Sequence, residues 1–224
     1  MKRFFLLSMF LCLMACQSED QRAKAFVNQL GDTEVFRRTE AGETLVEMGP
    51  AAIDALIQGL SHENPQIREM SVWTLSEIKT PTARVVPAII TSLADPEETV
   101  RVVGSVALQG IGEPAVPYLI DALTAAPSAD IRLNAAYALG EIGKPLDTII
   151  PALITSLTDP EWNVRRLTVR ALIRIGTPAV DPLVKALNSP DQDLRRMAER
   201  ALNDMGTVRA LRAITEAKRR SLDR

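Results

Sequence analysis

The sequence is poor in residues that do chemistry. Its 224 residues include one histidine, His62, and two cysteines, Cys12 and Cys16, both near the start. A single histidine excludes a His-rich metal site and leaves no Cys–His pair in the body of the chain. No Gly-rich phosphate loop and no Ser-x-x-Lys motif occurs. The adjacent Glu97 and Glu98 fall in a turn and carry no acid–base asymmetry. His62 also falls in a turn and reads as a turn residue. We therefore expect no enzyme activity, no cofactor and no metal. There is no alternating strand pattern of useful length, no long linker and no low-complexity tract.

The apolar run Phe4 to Met14 is broken only by Ser8 and is too short to span a bilayer. Preceded by Lys2-Arg3, it reads as a secretory signal. Its ending, Leu13-Met14-Ala15-Cys16, resembles the lipobox of bacterial lipoproteins. The resemblance implies that residues 1–15 are removed and that Cys16 is acylated on its sulfur and its new amine. Two or three acyl chains anchor a protein stably, since each buried CH₂ adds about 0.8 kcal/mol. An ordinary signal with an incidental Cys16 is the other reading. In Gram-negative members a residue other than aspartate after the cysteine, here Gln17, directs the protein to the outer membrane. The expected place is the bacterial cell envelope, lipid-anchored, on the periplasmic side of the outer membrane in a Gram-negative cell. With Cys12 removed and Cys16 blocked, no thiol remains for a disulfide, and an apolar core must hold the fold.

What the chain does have is repetition. Ile67-Arg68…Leu75…Ile78 recurs at Val100-Arg101, Ile131-Arg132, Val164-Arg165 and Leu194-Arg195, with a weaker copy at Arg38…Leu45…Met48. The five arginines from Arg68 are spaced 33, 31, 33 and 30 residues apart. Self-similarity at this period predicts a solenoid of stacked units. Each unit resolves into two helices. Ile131, Ala135, Ala138, Leu139 and Ile142 recur at helical spacing. Gly49, Gly112, Gly143, Gly176 and Gly206 stand where a helix C-cap wants glycine. Pro50, Pro114, Pro145 and Pro178 follow, where the next helix begins. Pro87, Pro117, Pro151 and Pro182 must either begin the regular helix or bend it.

The Pro-Ala-Val-Pro-x-Leu-Ile-x-Ala-Leu and Val-Arg-x-x-Ala-x-x-Ala-Leu-x-x-Ile-Gly pieces resemble HEAT repeats, of the short type also found in phycobilisome lyases. The resemblance covers about residues 33–206. It implies an all-α, right-handed solenoid of about six antiparallel helix pairs, HEAT/armadillo-like. The expected organisation is a lipidated N-terminus and first helix at 16–31, the solenoid at 32–206 and a capping helix at 207–224. In the family an aspartate and an arginine form a ladder between units; Asp95, Asp159, Arg68, Arg101, Arg132, Arg165 and Arg195 match those positions. His62 and Ser189 stand in the aspartate position elsewhere, so the ladder is expected to be incomplete.

Charge is uneven along the chain. Residues 17–159 hold 10 basic and 20 acidic residues; residues 160–224 hold 14 and 8. The acidic majority and the export signal argue against nucleic acid. Counting from each repeat arginine, positions 1, 5 and 9 form a stripe apart from the packing positions. In the family the second helices line the concave side. The stripe would then be acidic at Glu43, Glu69 and Glu77 and apolar or aromatic at Trp73, Val102, Val106, Leu133 and Tyr137. It would be basic at Arg166, Arg170, Arg174 and Arg200. Either this is a groove for a protein or peptide, or Trp73 and Tyr137 tuck into the core. The expected protein is a monomeric scaffold. A bilin-lyase-like or chaperone-type activity on a ligand in the groove is the alternative, and a purely structural envelope spacer is a third.

Overall fold

Six helices of identical length set the frame of the computed structural model, which describes residues 18–78, 80 and 82–222. Each has 14 residues and carries its repeat arginine at the fourth. These second helices are α2 (Val35–Met48), α4 (Pro65–Ile78), α6 (Glu98–Ile111), α8 (Ala129–Ile142), α10 (Trp162–Ile175) and α12 (Gln192–Met205). The weak copy at Arg38 is thus in full register. The first helices are α1 (Glu19–Gln29), α3 (Ile53–Gly59), α5 (Thr82–Thr91), α7 (Val116–Ala125), α9 (Leu146–Ser156) and α11 (Val180–Ala186). A last helix, α13 (Val208–Leu222), follows Gly206. No strand occurs among the described residues. The fold is an all-α solenoid. The signal segment and Cys16 lie outside the described residues.

The first helices differ for a reason visible in the backbone. Gly112 has φ 73° and ψ −137°, a conformation that a Cβ disfavours. It turns the chain into a short 3₁₀ segment, Glu113–Ala115, that carries Pro114. Where such a 3₁₀ lead precedes α7 and α11, Pro117 and Pro182 fall in the opening turn of the helix proper. Where it is missing, before α5 and α9, Pro87 and Pro151 lie inside the helix.

The chain divides between Ser92 and Leu93 into two units. In the first, Leu30, Leu45, Ile53, Leu56 and Leu75 are fully buried. In the second, Leu108, Leu139 and Leu172 occupy position 7 of successive second helices and lose all contact with solvent. Leu119, Leu123 and Ile149 of the first helices are buried as well. Burying one such side chain stabilises the fold by about 1.5–3 kcal/mol. Close approach depends on small residues at positions 3 and 6, such as Ala135 and Ala138, both fully buried. α8 and α10 come so near that a Cβ at Gly140 would sit 2.8 Å from the Ala171 Cα. Ser71 and Thr168, both at position 3, bury hydroxyls without a hydrogen-bond partner among the described residues. Nothing in the structure explains why these two are not alanine.

Leu139→Ala should lose about 2–5 kcal/mol, because both the burial and the filled volume vanish. Chemical denaturation reads this. A loss under about 1 kcal/mol would contradict the helix phase described here.

Candidate binding face on the second helices

The repeat arginines act first within their own unit. Arg38 Nη1 donates to the carbonyls of Asp32 and Thr33 at 2.6 and 3.2 Å. Arg68 donates to His62 and Glu63, Arg101 to Asp95 and Pro96, and Arg132 to Ala126 and Pro127. Arg165 donates to Asp159 and Pro160, and Arg195 to Ser189 and Pro190. Each guanidinium thus ties its helix to the turn that precedes it. This turn clamp recurs with every repeat arginine, beside the stitching between units that the resemblance implied.

The aspartate position has a matching local task. Asp32, Asp95 and Asp159 each accept, through Oδ1, the N–H two residues on. His62 Nδ1 and Ser189 Oγ accept the equivalent N–H at 3.0 and 3.1 Å. Any acceptor of suitable reach serves the turn, which explains why the aspartate is dispensable there. A rung between units does form at Arg132, whose Nε and Nη2 meet Asp159 at 2.7 and 3.1 Å. Both side chains are nearly buried, at 12% and 7% exposed. The hydrogen bond from Arg132 to Asp159 raises the guanidinium's pKa; partial burial opposes it. The corresponding places for Arg101 and Arg165 hold Ala126 and Ser189, which carry no carboxylate.

The stripe is outside the core. In the first unit Trp73 is 39% exposed, Glu43 and Glu77 are exposed, and Glu69 is half-buried. The bare backbone of Gly42 on α2 makes room for the Trp73 ring edge. In the second unit Val102, Val106 and Tyr137 are 53%, 60% and 44% exposed. Leu133 is half-buried, so it contributes less surface than its phase suggests. Helices α6, α8, α10 and α12 pack in that order, and three open clefts run across them. The first, about 330 Å³, lies between Val102, Val106, Asn134 and Tyr137, with Glu98 on its edge. The second, about 660 Å³, is bounded by Tyr137, Gly140, Glu141, Arg170 and Arg174. The third, about 630 Å³, is lined by Trp162, Arg165, Arg196, Met197 and Arg200.

Charge on this face is partly engaged. Arg174 pairs with Glu141 at 2.6 Å, and Arg196 pairs with Asp193. Arg200 lies 3.7 Å from Asp204 and stacks on Trp162 at 4.9 Å from the ring centre. Arg165 stands 5.4 Å from the same ring. Arg166 and Arg170 are exposed and make no ion pair among the described residues. The sequence reading missed Trp162, which is 45% exposed. The signal was present: Trp162, Arg166, Arg170 and Arg174 are four apart, so the stripe extends one turn further back. No His, Cys, Asp and Glu group suited to a metal occurs among the described residues. None of the described helices is long and apolar enough to cross a membrane.

Half-exposed rings should be cheap to remove. Trp73→Ala and Tyr137→Ala should each lose less than about 2 kcal/mol in a chemical melt, against about 3–5 kcal/mol for a buried aromatic. A loss in the larger range would put the rings in the core.

The family profile described as HEAT repeats matches residues 23–102 and 150–224. A second profile, the PBS lyase HEAT-like repeat, matches residues 131–159. Over 135 residues the chain is 28% identical to an uncharacterized phycocyanin operon protein Z of Pseudanabaena tenuis. That match covers 58% of this chain and 66% of the relative, just under two thirds of its length. The fold is similar to the MAST/Orbit N-terminal domain, with a TM-score of 0.59 at 22% identity, covering 81% of this chain and 96% of that one. It is also similar to a chain from a structure of microtubule plus end tracking by XMAP215, CLIP-170 and EB1. There the TM-score is 0.56 at 16% identity, covering 80% and 89%. With its clamped second helices and two profile matches spanning most of its length, the chain belongs to the HEAT-repeat family.

Proposed function

We propose that this protein is a lipid-anchored scaffold that binds a protein or peptide partner on its second-helix face in the bacterial cell envelope. One observation carries the reading. Val102, Val106 and Tyr137 present exposed apolar surface beside the uncompensated Arg166 and Arg170, all on packed helices. An apolar patch with a charged rim is the usual composition of an interaction site, and aromatic and arginine side chains are its usual anchors. A site on rigid helices loses little conformational freedom on binding. The absence of catalytic groupings from the sequence supports a binding role over an enzymatic one. A monomer is the simplest form compatible with an open face.

A second reading, a bilin-lyase-like role, is favoured by the likeness to the phycocyanin operon protein and by the PBS lyase repeat match. Mixing the purified protein with bilins distinguishes the two, since a ligand held in a cleft shifts its absorbance spectrum.

The anchor follows from Leu13-Met14-Ala15-Cys16 and Gln17. In Gram-negative cells it places the protein on the periplasmic side of the outer membrane. Cys16→Ser should abolish fatty-acid labelling and release or leave unprocessed the protein; equal label in both forms rejects the anchor. A photo-crosslinker at Val106 should capture a discrete partner in native membranes. A crosslinker on the opposite side, at exposed Asp147 of α9, should not. Equal capture from both positions rejects the face.

A further inference from the structure

We infer that the occupant of this face in the second unit is an extended acidic peptide segment with one apolar anchor. The inference rests on the peptide-binding reading of the same face. Its carboxylates would meet Arg166, Arg170 and the Trp162 cleft, and its apolar side chain would meet Val102, Val106 and Tyr137.

Charge argues first. The carboxylates at the second and third clefts are already engaged: Asp159 by Arg132, Glu141 by Arg174, Asp193 by Arg196. Arg166 and Arg170 are left uncompensated on one face of α10. Residues four apart along a helix are separated by about 6 Å. Alternate side chains of an extended chain are separated by about 6.6–7 Å. Once the chain has turned to run along α10, a Glu-x-Glu segment therefore matches the two arginines in spacing. At the Trp162 cleft the indole stacks against Arg165 and Arg200. Arg165 is held by its turn carbonyls, whereas stacking occupies the face of the Arg200 guanidinium and leaves its N–H edge for the in-plane recognition of carboxylate.

Spacing argues next. Neighbouring helix axes lie about 8–10 Å apart, so α6 to α10 is about 16–20 Å. An extended chain covers that in about five or six residues at 3.3 Å each. The anchor and the first carboxylate thus belong to one short segment. Charge distribution separates a peptide from a nucleic acid. The apolar half of the face, around Val102 and Val106, carries the carboxylate Glu98, and its guanidinium, Arg101, is held by the Asp95 and Pro96 carbonyls. A uniformly charged polyanion crossing it would set phosphates against a carboxylate. A peptide can confine its charge to one end.

The test is a fluorescence anisotropy titration of the full-length protein in detergent. The probe is a labelled peptide with a leucine pair about five residues from a Glu-x-Glu-x-Glu run, made in both chain directions, and its glutamine counterpart. The better glutamate probe should bind at least about tenfold tighter than its glutamine form. Arg166→Glu with Arg170→Glu should weaken it about tenfold or more and flatten its salt dependence. The milder pair of glutamine substitutions should weaken it several-fold. Arg212→Glu, exposed on α13, should leave it unchanged. Val106→Ser should weaken both probes alike. Equal binding of both probes, lost in Val106→Ser, overturns the acidic inference and leaves the peptide-binding face standing. Binding of neither probe overturns the inference, and the Val106 crosslink then decides the parent reading. Displacement of the probe by lower concentrations of an oligothymidylate overturns it in favour of nucleic acid. Self-association abolished by the double charge reversal overturns it in favour of a second copy.

Discussion

A guanidinium held by two backbone carbonyls is the constraint on which this solenoid depends. Each second helix begins after a turn with two successive carbonyls within reach of the repeat arginine, the first of them partly buried. The repeat arginine satisfies both at once and stays charged while doing so. A hydrogen bond from a charged donor contributes about 1.5–3 kcal/mol. It also fixes the angle at which the turn delivers the chain into the helix. The leucine at position 7 then points into the core of every unit, and the small residues at positions 3 and 6 set the helix separation. The phase of the exposed stripe is a consequence of the same clamp.

That arrangement divides neighbouring residues between two tasks. Arg165 faces the turn and Arg166 faces solvent, although they are adjacent in sequence. A step of one residue rotates about 100° around a helix, because each turn holds 3.6 residues. Structure and binding surface are thereby interleaved along one helix. Replacing a stripe residue leaves the clamp and core of its unit intact. The surface can be tuned for a partner while the frame stays fixed.

Much of this was legible in the sequence because it rests on periodicity. The second helices, the glycines that end them and the burial of Leu139 all follow from spacing and from the backbone needs of particular residues. Prolines were ambiguous for a physical reason. Pro117 and Pro87 occupy the same place in the repeat, yet only the first follows a 3₁₀ turn entered through a glycine. The arginine's partners were not legible, since backbone carbonyls have no residue type to betray them. For the same reason the local role of His62 and Ser189 was hidden: neither supplies a carboxylate to a ladder, yet their acceptor atoms do the turn's work. Trp162 was overlooked because it precedes the arginine from which the stripe was counted. Leu133 was over-counted because the phase of a helix gives direction and not the height of its neighbours.

The account separates a structural arginine from a binding arginine one residue away, and paired chemical denaturation of Arg165→Ala and Arg166→Ala tests that separation most directly. Arg165→Ala should lose about 1.5–3 kcal/mol, as its turn carbonyls lose a charged donor. Arg166→Ala should stay within about 0.5 kcal/mol of the parent, as an exposed side chain with no ion pair among the described residues. Equal losses, or a larger loss at Arg166, would contradict the account.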